Sequence, residues 1–162
     1  MRLTILLSLL ATAATSATAQ IHQWSFTTQG DVQGGSPSGL EVDDLGRSCI
    51  WGATGPEAAD LDPGTAEALC PPVHAFVACY AANGTYEMSI TFHAEVEVVL
   101  FDIAITPEHD IVIAGFHDGA IDVDPGPGET ILSGSQPFLL ARYSSAGELL
   151  WAHSSGLSDQ SL

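Results

Sequence analysis

Two acidic pentads carry the most chemistry in the chain, Asp60-Leu61-Asp62-Pro63-Gly64 and Asp122-Val123-Asp124-Pro125-Gly126, the second with Asp118 and Glu129 nearby. Loop carboxylates are the ligands Ca²⁺ prefers, about six to eight oxygens at a time, so Asp60, Asp62, Asp122 and Asp124 are the candidate cation ligands. Neither pentad has the D-x-[DN]-x-[DN]-G order of a full calcium loop. The competing role is conformational: Asp accepts backbone N–H bonds, Pro fixes φ and Gly takes a positive φ, so each pentad is read first as a turn. Paired carboxylates also hydrolyse glycosides, but two copies of one motif offer no acid distinct from a base.

The other reactive side chains form no catalytic constellation. His22, His74, His93, His109, His117 and His153 are scattered without metal-ligand spacing and are expected in loops or at strand edges. Cys49, Cys70 and Cys79 include no C-x-x-C pair, and no Asp, Glu or His adjoins any of them to activate a nucleophile. There is no G-x-S-x-G, and Gly126-Pro127-Gly128 is too short for a phosphate loop. Trp24 and Trp151 could stack on a sugar, but their recurrence at one repeat position points to core packing. Asn83-Gly84-Thr85 has the form of a glycosylation sequon and is read as a hairpin turn. No catalytic residue is assigned.

The chain that must position these residues is 162 residues long, 46% hydrophobic, and carries 20 acidic side chains against three arginines and no lysine. The apolar fraction is enough for a folded core and excludes a wholly disordered chain. A formal charge of -17 opposes every phosphate contact, which excludes nucleic acid and anionic membrane surfaces as partners.

Residues 1–19 read as a secretory signal peptide: Met1-Arg2, an apolar run from Thr4 to Ala14, and Ala17-Thr18-Ala19 as the small-x-small cleavage pattern. The run is half the length of a membrane span, so no span is expected after cleavage. A mature chain starting at Gln20 has 143 residues and, with two arginines against twenty acids, a charge of -18. Secreted or cell-envelope location permits disulfides. Three cysteines allow at most one internal bridge, with three pairings open.

The sequence repeats with a period of 63. Ile50-Trp51-Gly52 aligns with Ile113-Ala114-Gly115, Phe76-Val77-Ala78-Cys79-Tyr80 with Leu139-Leu140-Ala141-Arg142-Tyr143, and Gly84 with Gly147, while the acidic pentads are offset by 62. Trp24, Met88 and Trp151 recur with gaps of 64 and 63. Short β-branched and aromatic runs bounded by Gly, Pro, Ser and Asp predict four antiparallel strands per unit. They fall at roughly 38–43, 47–52, 75–81 and 85–92, then 98–106, 110–116, 137–144 and 148–154. Turns at 43–47, 81–84, 106–110 and 144–147 close the hairpins, and a Pro/Gly-rich excursion with the acidic pentad separates the second and third strands of each unit.

Ile103-x-Ile105, Ile111-x-Ile113-Ala114-Gly115, Asp122-Val123-Asp124-Pro125-Gly126, Phe138 to Tyr143 and Gly147 to Ala152 resemble the bacterial extracellular β-propeller repeat family often called SBBP. The first unit matches less fully, with Cys79 and Met88 where the family usually has a basic residue and Trp. The resemblance covers most of residues 38–154 and implies propeller blades in an exported bacterial protein of a family mostly without assigned activity. The expected fold is therefore all-β: two four-stranded antiparallel blades plus an N-terminal strand around Trp24, an incomplete propeller. Its divisions are 1–19 signal peptide, 20–37 N-terminal strand and linker, 38–92 first blade, 93–154 second blade and 155–162 tail.

Two blades fall short of the about four to eight of a closed propeller. A truncated piece of a longer gene is the preferred explanation; the rival is assembly of several copies, the Trp24 strand completing a neighbour's blade. The functional expectation is a non-catalytic binding or structural module with a protein or carbohydrate ligand, self-association or further blades, and no cofactor beyond the candidate Ca²⁺. The alternatives are a secreted hydrolase or lyase with its site in a complete propeller, and a calcium-dependent adhesion module.

Overall fold

The computed structural model of the chain describes residues 36–92, 97–134 and 137–155, and all regular structure among them is β. The first unit comprises β1 (Ser36–Val42), β2 (Ser48–Ala53), β3 (Ala59–Asp60), β4 (Leu69–Cys70), β5 (Ala75–Tyr80) and β6 (Tyr86–Phe92). The second comprises β7 (Glu97–Ile105), β8 (Ile111–Asp118), β9 (Ile121–Asp122), β10 (Ile131–Leu132), β11 (Phe138–Tyr143) and β12 (Leu149–Ser155). Each unit is a four-stranded antiparallel sheet, ordered β1-β2-β5-β6 and β7-β8-β11-β12, with a two-residue ladder, β3-β4 or β9-β10, set into the connection between its middle strands. The eight long strands lie within a few residues of their expected positions, and the short ladders lie inside the Pro/Gly-rich excursions. The signal peptide, the Trp24 strand, His22 and His93 lie outside the described residues. Among the described residues no helix is long and apolar enough to cross a membrane.

The two units agree in their irregularities as well as their strands. A register shift between Pro37 and Gly39 in β1 recurs between Leu100 and Asp102 in β7, and one between Cys79 and Tyr80 recurs between Arg142 and Tyr143. All these positions are 63 apart. A bulge redirects every side chain beyond it, so its recurrence keeps equivalent residues on equivalent faces.

Each sheet thus has a front and a back. On the first sheet Cys49, Trp51, Val77, Cys79, Met88, Ile90 and Phe92 form the front, and they are buried in one core with Ile103, Ile111, Ile113, Leu139, Ala141 and Tyr143 from the back of the second sheet. The Phe92 and Tyr143 rings meet edge to face, 6.2 Å apart. The back of the first sheet (Phe76, Ala78, Tyr80) builds a smaller core with Leu61 and Cys70.

The short ladders are flaps, each pinned to the back of its own sheet by the same contact. Tyr80 Oη donates to the Leu61 carbonyl at 2.8 Å, and Tyr143 Oη donates to the Val123 carbonyl at 2.8 Å. Burial chiefly, with the nearby flap carboxylates adding to it, raises both phenols above their ordinary pKa, so each hydroxyl keeps the proton it donates. The second flap supplies Ile121 and Val123 to the core between the sheets.

Of the three cysteine pairings, the fold selects Cys49–Cys79, which stand directly opposite each other on β2 and β5 with Cα atoms 4.1 Å apart. Cys70 is the free thiol, wholly buried on the sheet-facing side of the first flap, and burial pushes it up to about 11 against a weaker opposing hydrogen bond from Thr54. The bridge closes a 30-residue separation, which restricts the unfolded chain by about 3 kcal/mol. Replacing both partners by alanine (Cys49→Ala with Cys79→Ala) is expected to lower the urea-unfolding free energy by about that amount; a loss under about 1 kcal/mol would show that the bridge adds little to the strand pairing.

Candidate functional site

Four hairpin turns, two from each sheet, line a single cleft of ≈ 740 Å³ whose walls include Asp43, Leu45, Arg47, Glu87, Met88 and His109. The turns share one construction. In each, the carbonyl of the first residue (Asp43, Ala81, Thr106 or Ser144) accepts from the amide of the fourth, and the fourth position is left-handed; in the first turn Asp43 Oδ1 also accepts from the amides of Leu45 (2.9 Å) and Arg47 (2.8 Å). Gly46, Gly84 and Gly147 fill that position with φ of 82°, 85° and 88°. The fourth turn has His109 there with φ 64°, at a cost of about 1 kcal/mol or more relative to glycine.

Two contacts cross the cleft. His109 Nδ1 lies 3.0 Å from Asp43 Oδ2 and 3.9 Å from Asp44 Oδ1, an ion pair from the second unit to the first when the imidazole is protonated. The Asp43 carboxylate is almost fully buried. Burial by itself would raise its pKa, but the Arg47 and Leu45 amides together with the His109 ring outweigh that and hold it below the ordinary carboxylate range. Arg47 is a buried cation whose Nε donates to Glu87 Oε2 at 2.6 Å, whose Nη2 donates to the Ser145 carbonyl at 2.6 Å, and whose Nη1 lies 3.5 Å from the His109 carbonyl. One guanidinium therefore ties the β1–β2 turn to β6 and to both turns of the other sheet. Gly147 is favoured by its left-handed φ, and a Cβ there would stand 2.7 Å from Met88 Cε across the sheet interface, so the flexible Met88 side chain would have to shift.

The acidic pentads lie apart from this cleft and serve the backbone. Asp60 Oδ1 accepts from the amides of Asp62 (3.0 Å) and Ala68 (2.9 Å), and Asp62 Oδ1 accepts from Gly64 at 2.7 Å. The second flap repeats this: Asp122 Oδ1 accepts from Asp124 (3.0 Å) and Thr130 (2.9 Å), and Asp124 Oδ1 accepts from Gly126 at 2.8 Å. The turn glycines differ from expectation in their reason. Gly64 and Gly126 do not adopt positive φ; a Cβ at either would come within 3.0 Å of the Asp carboxylate that caps its own amide. Close approach, not handedness, excludes a side chain there.

Among the described residues the one group of three metal-ligating side chains within 4.8 Å is Asp43, Asp44 and His109; neither pentad forms such a group. Two carboxylates and an imidazole nitrogen suit a Zn²⁺-class ion, and in the structure Asp43 is engaged by the His109 ring and by two backbone amides. The remaining described histidines have local partners. His117 is buried between the Gly119 carbonyl (3.0 Å) and Ser154 Oγ (3.2 Å), His74 Nδ1 lies 2.6 Å from the Pro72 carbonyl, and the His153 ring stacks at 5.4 Å on Trp151. Compared with protein-family models, curated proteins and solved structures, the chain matches none.

Neither Arg47 nor His109 was marked by a motif. The signal available for His109 was the repeat itself, which sets it against Gly46 in the alignment.

Two outcomes test this construction. His109→Ala leaves a Cβ in the left-handed region whereas His109→Gly does not, so the alanine variant should be the less stable by about 1 kcal/mol in urea unfolding; equal stabilities would mean the turn relaxes. Because the folded Asp43 pKa is depressed, its contribution is fully present above its ordinary value near ~4 and is lost as pH falls through the lower folded value. As the pH falls below about 4, the wild type should lose stability more steeply than Asp43→Asn; parallel curves would remove Asp43 from the acid transition.

Proposed function

We propose that the chain is an exported β-propeller-type repeat protein acting as a non-catalytic binding or structural module, its two sheets being blades of the bacterial extracellular kind that the sequence resembles. The observation that carries this reading is the mounting of one unit on the next: the back and flap of the second sheet cover the front of the first in one buried core. A unit built to receive its successor in this way is a stacking element.

The polar residues favour a scaffold over an enzyme. A catalytic site needs side chains with different roles, whereas here equivalent positions do equivalent work: Asp60 and Asp122 cap flap amides, and Tyr80 and Tyr143 hold flap carbonyls. The turn-end cleft, with apolar Leu45 and Met88 beside polar walls, offers a concave seat for a protein or carbohydrate segment. Export rests on the basic start, apolar run and Ala17-Thr18-Ala19 site of the first nineteen residues.

Expression of the full chain in a bacterial host should give a product outside the cytoplasm whose first residue is Gln20, read by N-terminal sequencing; an uncleaved cytoplasmic product would overturn the export reading. With the pentad carboxylates serving amides, addition of Ca²⁺ should leave the melting temperature unchanged, and a rise abolished by EDTA would assign calcium-dependent adhesion instead.

A further inference from the structure

We propose that the chain assembles head to tail with further copies of itself, the front of its second sheet receiving the back of the first sheet of another copy. The inference rests on the stacking reading above and adds to it a partner and the two surfaces that meet.

The internal interface defines what each surface looks like when covered; 63 residues away the equivalents of its edge-strand residues and of Ala75 are open, while Phe76, Ala78 and Tyr80 are already buried beneath the first flap. On the front, Met88 is 9% exposed and Ala75 3%, while their counterparts on the second sheet, Trp151 and Phe138, are 36% and 44% exposed. On the back, Ile103 of β7 is 4% exposed in the core between the sheets, while its counterpart Leu40 on β1 is 57% exposed. Val42 is likewise exposed where Ile105 packs against that core. Each open surface is thus the repeat-equivalent of one half of an interface the molecule already makes.

The supporting parts of both surfaces are in place as well. The back of the first sheet carries its own flap, pinned by Tyr80 as the second flap is pinned by Tyr143. The front of the second sheet carries a further pair of rings, Phe101 and Phe116, 5.4 Å apart. A patch of this kind on both ends of a monomer marks association, and because the two surfaces are unlike, the contact is heterologous and propagates until it closes.

The contact between copies would be weaker than the internal one, for reasons visible in the residues. Asp110 occupies the place of Arg47, so the guanidinium clamp does not recur, and Arg142 and His153 replace Cys79 and Ile90. Arg142 is engaged on its own sheet, Nε donating to Asp110 Oδ2 at 2.9 Å. Copies that each carry twenty acidic side chains against two or three arginines repel, so association should strengthen as salt screens them.

The test is particle mass by sedimentation velocity over a concentration series. The wild type should be larger than its own monomer and grow with concentration or salt. Trp151→Glu with Phe138→Asp disables the front surface, and Leu40→Glu with Val42→Glu disables the back. Each variant alone should be monomeric, and an equimolar mixture should give a one-to-one dimer through the intact front of one and the intact back of the other. That dimer also shows that both variants fold, and circular dichroism melting of each checks it separately. A wild type that stays monomeric throughout overturns the proposal, as when another segment of the same chain covers these surfaces. So does a mixture of folded variants that fails to pair, or a variant that still self-associates. The N terminus of the exported product reports on the previous reading and particle mass on this one, so either can fail alone.

Discussion

A four-stranded sheet with apolar side chains on both faces cannot bury itself, and the rest of the molecule answers that constraint. Sequence alternation gives each strand two sides, and in this chain both sides are apolar along the middle strands: β5 is buried from Ala75 to Tyr80 without interruption. One side is covered by the unit's own flap and the other requires a neighbour. The second sheet supplies that neighbour for the first, which is why seventeen residues from both units form one buried core.

The flaps show how a short segment with little intrinsic stability becomes part of the core. A two-residue ladder has almost no pairing energy of its own. Each flap is held instead by an Asp carboxylate that accepts two amides within it and by a tyrosine hydroxyl rising from the sheet beneath. The acidic residues that looked most like ligands are consumed in this construction. Part of the chain's negative charge is therefore a by-product of the way its loops are folded.

The long strands were legible because period-two alternation and turn residues agreed with each other and with the 63-residue repeat, three independent signals for the same boundaries. The flap ladders were not, since two paired residues leave no periodicity to detect. The disulfide was open from sequence because pairing depends on register, and only the β2–β5 alignment sets Cys49 opposite Cys79. The turn-end cleft was the least legible feature. Arg47 is distinctive only once four turns converge on it, and His109 hides in a position whose signature is glycine. The pentad carboxylates cap backbone amides, and the reason for their glycines lies in side-chain crowding that no propensity reports.

The Cys49–Cys79 bridge gives the two units different mechanical properties. It joins the middle strands of the first sheet, so the whole first flap and the β2–β5 connection lie inside a covalent loop that tension on the chain ends cannot draw out. In the second sheet the equivalent positions are Val112 and Arg142, joined only by the hydrogen-bonded ladder around them. Under load the second unit can unravel from β12 inward, strand by strand, while the first can surrender only its edge strands. Under tension the chain has one durable half and one that yields.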